Sequence, residues 1–239
     1  MRGIPFVSDI IVNEVPIDVD KQVGQKILRE IPNSEIDEEK SILLKDFFNQ
    51  LVIGNETQII VVKGPIFNAF ALPGNSIVVF DEVIKSVHSY PELSALLAHE
   101  YAHIKNRHGM RTLAHENLQA LLTNELGGDG VNNSDNFIRN ANMLRSAKKS
   151  RGFEKQADLD GLDILRKNKI NSQGFIDLLE TINSLEESEK KNKQVLSVYF
   201  STHPETKDRI AYIKDEISEN TYTFENNFKL EEVFKQLQK

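Results

Sequence analysis

The chain of 239 residues has no cysteine, which excludes a disulfide frame and any thiolate metal site. It has no run of eighteen apolar residues, so no segment is expected to span a bilayer. It has no excess of cations either. Lys and Arg number 29 against 36 Asp and Glu, a formal charge of −7 without a basic stripe. Nucleic-acid binding depends on clustered cations, so that class of partner is excluded. The opening stretch MRGIPFVSDIIVNEVPIDVD lacks the basic, apolar and small-residue order of a signal peptide. Membrane association is therefore expected only through a segment outside these residues.

What remains is ordinary for a globular protein: 39% hydrophobic and 27% charged residues, in a chain long enough to bury a substantial core. Residues 1–19, broken by Pro5 and Pro16, read as an extended arm. Helical spacing follows over 20–31 and over 37–53. Three short β-rich runs come next, at 57–62, 66–72 and 76–80, punctuated by Gly64-Pro65 and Pro73-Gly74-Asn75. They predict a small, largely antiparallel sheet. Helical patterns then fill the chain, at 81–90, 91–108, 109–126, 136–150, 151–168, 172–200, 204–217 and 229–238, with a candidate lid loop at 127–136. The fold class is α+β, mainly α. The predicted organisation is an arm over 1–19, one domain over 20–217, and a tail over 218–239 whose helix packs on that domain.

Pro91 to His108 is the most informative stretch. Pro91 suits a first helical turn, Glu92 complements the dipole there, and Gly109 would serve as the C′ residue. Inside this Leu- and Ala-rich helix stands His99-Glu100-Tyr101-Ala102-His103. Histidines four apart lie on one helix face, so both imidazoles can reach one cation. Glu100 is turned about 100° from His99, beside the open position of such an ion, where a general base belongs. A lone buried histidine is usually a packed core residue. Two histidines and a glutamate buried without a metal would each need partners, at about 1–3 kcal/mol apiece.

A catalytic zinc takes three protein ligands and keeps one position open. A third histidine in the metzincin register is missing, since that position is Gly109 and His108 stands one step early. The best remaining candidate is Glu154, four residues before Asp158 on one helix face, so that one carboxylate can ligate and the other can accept an imidazole N–H. Alone, such a pair reads as a solvated helix surface. Beside a complete H-E-x-x-H it reads as the missing ligand. His88, His108 and His115 are assigned surface or packing roles.

HEYAHIKNRHG, SRGFEKQADLDGLDIL and STHPETKDRIAYI, with Asn68-Ala69-Phe70-Ala71-Leu72-Pro73-Gly74 upstream, resemble the HtpX-like and CAAX-prenyl-protease-like zinc metallopeptidases, the gluzincins of family forty-eight. The four motifs keep that family's order over roughly residues 20–217. The resemblance implies a gluzincin-type domain with one Zn2+ per chain, held by His99, His103 and Glu154, and Glu100 as base. It implies Asp158 as partner of a ligand, His203 as donor to the oxyanion, and Arg209 as support for that corner. Apart from the resemblance, the small sheet has two roles open to it: to cover the metal helix, and to offer an edge strand, around Asn68, Ala69 and Phe70, that binds an extended peptide by main-chain hydrogen bonds. Gln156 departs from a glutamate that relatives often carry. The activity implied is endopeptidase cleavage of extended or misfolded protein segments, in or at a bacterial cell envelope. The alternatives are a zinc-binding scaffold without activity and a chaperone-like binding module. His203 also admits a second role, as a zinc ligand that keeps the enzyme latent.

Overall fold

A computed structural model describes residues 10–51, 53, 56–122, 150–192, 199, 203 and 206–239. The candidate lid at 127–136 and the helix expected from Asn136 lie outside the described residues. The elements run α1 (Ile17–Leu28), α2 (Glu38–Gln50), β1 (Gln58–Val62), β2 (Ala69–Leu72), β3 (Ser76–Phe80), α3 (Asp81–Ser86), α4 (Tyr90–Lys105), α5 (His108–Leu122), α6 (Arg151–Lys167), α7 (Gln173–Asn192), α8 (Thr206–Glu219) and α9 (Phe228–Leu237).

The sheet is mixed, not antiparallel throughout. Its order is β1-β3-β2. β3 pairs parallel with β1, Gln58 opposite Ser76 through Val62 opposite Phe80, and antiparallel with β2, Ala69 opposite Val79 through Leu72 opposite Ser76. The break read at Pro73-Gly74-Asn75 is the turn of a β2–β3 hairpin, with positive φ at Gly74 (81°) and Asn75 (99°). The link before it is where the expectation fails. The chain leaving β1 passes Gly64, whose N–H donates to Asp81 Oδ1, and β2 takes the far side, so β3 inserts between the two. β2 is thereby an edge strand among the described residues.

Strand side chains alternate between two apolar layers. Ile59, Val61, Ala69, Ile77 and Val79 face a large core shared with α2, α4, α6 and α7. Ile60, Val62, Phe70, Leu72 and Val78 face a smaller one closed by Ile27 and Ile31. The arm is not extended where it is described: residues 10–14 are helical, and a second helix follows before residue 19. α1 begins at Ile17, with Pro16 before it and Asp18 and Asp20 in its first turn, where acidic groups meet the helix dipole. It lies hard against the β2–β3 turn: a Cβ at Gly24 would stand 2.0 Å from the Pro73 carbonyl oxygen. At the far end of the chain α9, capped by Asn227, buries Leu230, Val233, Phe234 and Leu237.

α4 is central. Ser89 caps it by accepting from the Glu92 N–H, Pro91 occupies its start, and all but four of its 16 residues are buried. A helix apolar all round is a core helix. It stops earlier than the sequence suggested. The turn falls at Asn106 and Arg107 (φ 54°), and Gly109 already belongs to α5. Tertiary contacts override the glycine signal here. The Arg107 guanidinium donates to both Asp20 oxygens (2.9 and 2.6 Å) and to the carbonyls of Val12 and Val15 (2.7 and 2.9 Å).

Candidate metal centre

α4 and α6 meet face to face, and four side chains converge between them. Gly161 of α6 permits the approach, since a Cβ there would lie 2.9 Å from Phe175 and 3.4 Å from the His99 backbone nitrogen. His99 Nε2 is 3.1 Å from His103 Nε2 and 3.2 Å from His203 Nδ1. Glu154 Oε2 is 3.0 Å from His203 Nδ1 and 3.6 Å from His99 Nε2, while its Oε1 is 3.3 Å from His103 Nε2. All four residues are at most 2% exposed, and one candidate ligand atom from each lies within 4.8 Å of the others. α6 aims Glu154 by its own start: Ser150 caps the helix, and Glu154, Ala157, Asp158, Gly161 and Leu162 share the buried face.

The donor set fits a divalent ion. His99 Nδ1 lies 2.9 Å from Asp158 Oδ1, which keeps that proton on Nδ1 and leaves a lone pair on Nε2. Three imidazole nitrogens and a carboxylate turned inward on one spot, with water excluded, is an arrangement a cation would hold. Nitrogen with carboxylate oxygen suits zinc.

Glu100, with 0% exposure, sits beside this cluster. Its Oε2 accepts the Ala71 N–H at 2.9 Å and its Oε1 is 3.5 Å from His203 Nε2. Ala71 can reach it because of the β2 register. Asn68 O accepts from Phe80 N–H, so the alternation of an antiparallel pair turns the main-chain groups of Ala69 and Ala71 away from β3. Of the strand residues expected to meet a peptide, Asn68, Ala69 and Phe70 are themselves buried, at 4%, 0% and 6% exposure.

Behind the cluster, Asp158 accepts from Arg209 Nε (2.9 Å) and Nη2 (2.7 Å) and from the Tyr212 hydroxyl. Arg209 Nη1 also reaches Glu154 Oε2 at 3.0 Å. Burial pushes the Glu154 carboxyl up, but His203, Arg209 and the hydrogen bond from His103 outweigh it and hold the group well below the usual range. Asp158 is likewise pushed up by burial and brought below its ordinary value by Arg209 and His99. Both carboxylates are therefore charged in the fold. Burial tends to lower Arg209, and Asp158 with Glu154 raises it well above its ordinary value.

The sequence placed His99, Glu100, His103, Glu154, Asp158, His203 and Arg209, and the fold brings all seven together. It missed Tyr199, Tyr212 and the setting of His108. Tyr199 is buried, accepts the His203 N–H on its carbonyl (2.8 Å), and stacks on the His203 ring at 4.2 Å. Its i−4 spacing from His203 was the available signal. Tyr212, three residues after Arg209, carried a similar one. His108 is neither a surface residue nor simple packing: it is 1% exposed, with Nδ1 2.8 Å from His103 Nδ1. His88 is exposed and His115 half-buried.

Residues 37–217 match Peptidase family M48. The mitochondrial metalloendopeptidase OMA1 of Saccharomyces cerevisiae is 30% identical over 170 residues, covering 68% of this chain and 47% of that protein. The protein of the same name from Schizosaccharomyces pombe is 23% identical over 236 residues, 92% of this chain and 67% of its own length. That of Arabidopsis thaliana is 33% identical over 160 residues, 65% of this chain and 30% of its own length. The chain thus spans about half the length of the Saccharomyces cerevisiae relative. The relatives are named as mitochondrial proteins, which overturns the expectation of a bacterial cell envelope. That expectation rested on resemblance alone. With the four motifs folded onto one buried cluster and 37–217 matched, the chain belongs to Peptidase family M48.

Proposed function

We propose that the chain is the catalytic unit of a zinc metalloendopeptidase that cleaves extended or misfolded protein segments. The observation that carries this reading is the convergence of His99, His103 and Glu154 with Glu100 alongside. These three would hold one Zn2+, with Asp158 orienting His99. The ion, when bound, supplies Lewis acidity and brings the pKa of its water towards about 7. Glu100, desolvated and oriented by the Ala71 N–H, takes the proton of the attacking water and passes it to the leaving amine. His203, stacked on Tyr199, turns Nε2 towards Glu100 and donates to the oxyanion as it forms. The substrate would lie extended along the edge of β2, beside the Ala71 N–H that Glu100 already holds. The names of the relatives support the endopeptidase class.

A second reading is favoured by one distance set. His203 Nδ1 lies 3.0 Å from Glu154 and 3.2 Å from His99, so His203 can complete a closed site of four ligands and keep it latent. Incubation with unfolded casein tests the proposal. Cleavage abolished by a chelator and restored by zinc is expected. Casein bound but uncut would favour the chaperone-like module; zinc bound with neither would favour the scaffold.

A further inference from the structure

We infer that His108 is a positioning residue for His103, fixing which nitrogen of that ring carries the proton. The inference rests on the metal reading above, since it concerns how a ligating imidazole is held. His108 opens α5 just past the Arg107 turn, is 1% exposed, and stacks on Phe153 with centroids 4.3 Å apart. Its Nδ1 is 2.8 Å from His103 Nδ1 and its Nε2 is 3.2 Å from Gln156 Oε1.

Two facing imidazole nitrogens at that separation share one proton. Only one assignment leaves a bare lone pair on His103 Nε2, the atom that faces His99 and Glu154. His103 Nδ1 then donates, His108 Nδ1 accepts, and the His108 Nε2–H goes to the Gln156 carbonyl. The line continues without a fault. Gln156 Nε2 donates to Asn106 Oδ1 at 2.9 Å, and Asn106 Nδ2 donates to Asp160 Oδ2 at 2.7 Å and to the Ala102 carbonyl at 2.9 Å. Reversing either amide would set oxygen against oxygen. His99 has a carboxylate directly behind it; His103 has a neutral ring, and its carboxylate stands three groups further on.

The same line explains why position 156 holds an amide. A glutamate would put an oxygen against Asn106 Oδ1. Asn106 cannot turn to relieve it, because its Nδ2 already serves Asp160.

Long-range 1H–15N correlation spectra of zinc-loaded, 15N-histidine-labelled protein read the tautomers directly. His108 protonated on Nε2 is expected. His108 protonated on Nδ1 with zinc bound would overturn this inference and leave the metal centre standing; failure to bind zinc would overturn both. Zinc affinity, measured by competition with a chelating dye, gives a second test. His108→Phe keeps the stack and loses the acceptor, and should weaken binding ~10–100-fold. His108→Asn, which offers an oxygen near the Nδ1 position, should recover most of that loss. Equal affinity in parent and Phe variant, or equal loss in the Phe and Asn variants, would overturn the role. Should the Phe variant not fold, Gln156→Met on the exposed face replaces it: weakened binding is expected, and unchanged binding overturns the role.

Discussion

Asp158→Asn removes the charge that the buried corner is built on. Asp158 is 0% exposed and Arg209 3%, and the guanidinium meets that carboxylate through two hydrogen bonds, at 2.9 and 2.7 Å. Removing one partner of a buried pair leaves the other uncompensated, at a cost of about 3–5 kcal/mol. Glu154 still reaches Arg209 at 3.0 Å, which argues for the lower end. For a chain of this size about 3 kcal/mol corresponds to a fall in melting temperature of roughly 6–12 °C. Arg209→Met alone should cost a similar amount, and the double variant should recover about 2 kcal/mol of the sum, since the two residues share one network. Zinc affinity should behave differently. His99 Nδ1 loses its carboxylate in every variant that lacks Asp158, so binding should weaken ~10–100-fold and stay weak in the double variant. The pH dependence has a definite sign. Burial raises the Asp158 carboxyl, but Arg209 and His99 leave it below its ordinary value. A group depressed in the fold adds stability above its unfolded pKa, about 3.9, and that contribution fades as pH falls through the lower folded value. The gap between parent and Asp158→Asn should therefore be full at pH 7 and close below about pH 4. The assay is urea denaturation of the metal-free proteins. A single variant within 1 kcal/mol of the parent, or strictly additive losses, would refute the pairing argument.

Glu100→Gln should keep one zinc per chain and lose about 10²–10⁴ in kcat, checked by metal analysis beside casein turnover; full turnover would remove Glu100 as the base. His203→Ala should keep the metal and lower kcat by roughly 10²–10³ if the imidazole donates to the oxyanion, whereas a gain in activity would favour the latent reading. Gly24→Ala should destabilise the fold by about 1–3 kcal/mol in urea titration, because the new methyl meets backbone and not a yielding side chain; parent-like stability would contradict the packing of α1 on the β2–β3 turn.

Much of the site was legible because its ligands sit on long periodic helices. His99, Glu100 and His103 follow from one turn of α4, and Glu154 with Asp158 from one face of α6. The starts of α4, α6 and α9 came out within a residue of their true positions, with Pro91 as the mark for the first; Ser150 and Asn227, which cap the other two, were signals left unused. What sequence did not show is what depends on contacts between distant elements. The parallel pairing of β1 with β3 requires a crossover that short strand patterns do not encode. The turn at Arg107 that follows α4 is held by Asp20, 87 residues away in sequence. Tyr199, Tyr212 and His108 read as ordinary aromatic or surface residues until the fold sets their rings and hydroxyls against His203, Asp158 and His103.

The central claim is that the His99 and His103 imidazoles and the Glu154 carboxylate hold one cation. Anomalous diffraction from a zinc-grown crystal, collected on both sides of the zinc absorption edge, addresses it directly. One strong peak within about 2.0–2.2 Å of His99 Nε2, His103 Nε2 and a Glu154 oxygen is expected. A crystal with no peak at that spot, or with the ion bound elsewhere and Glu154 turned away, would contradict the account.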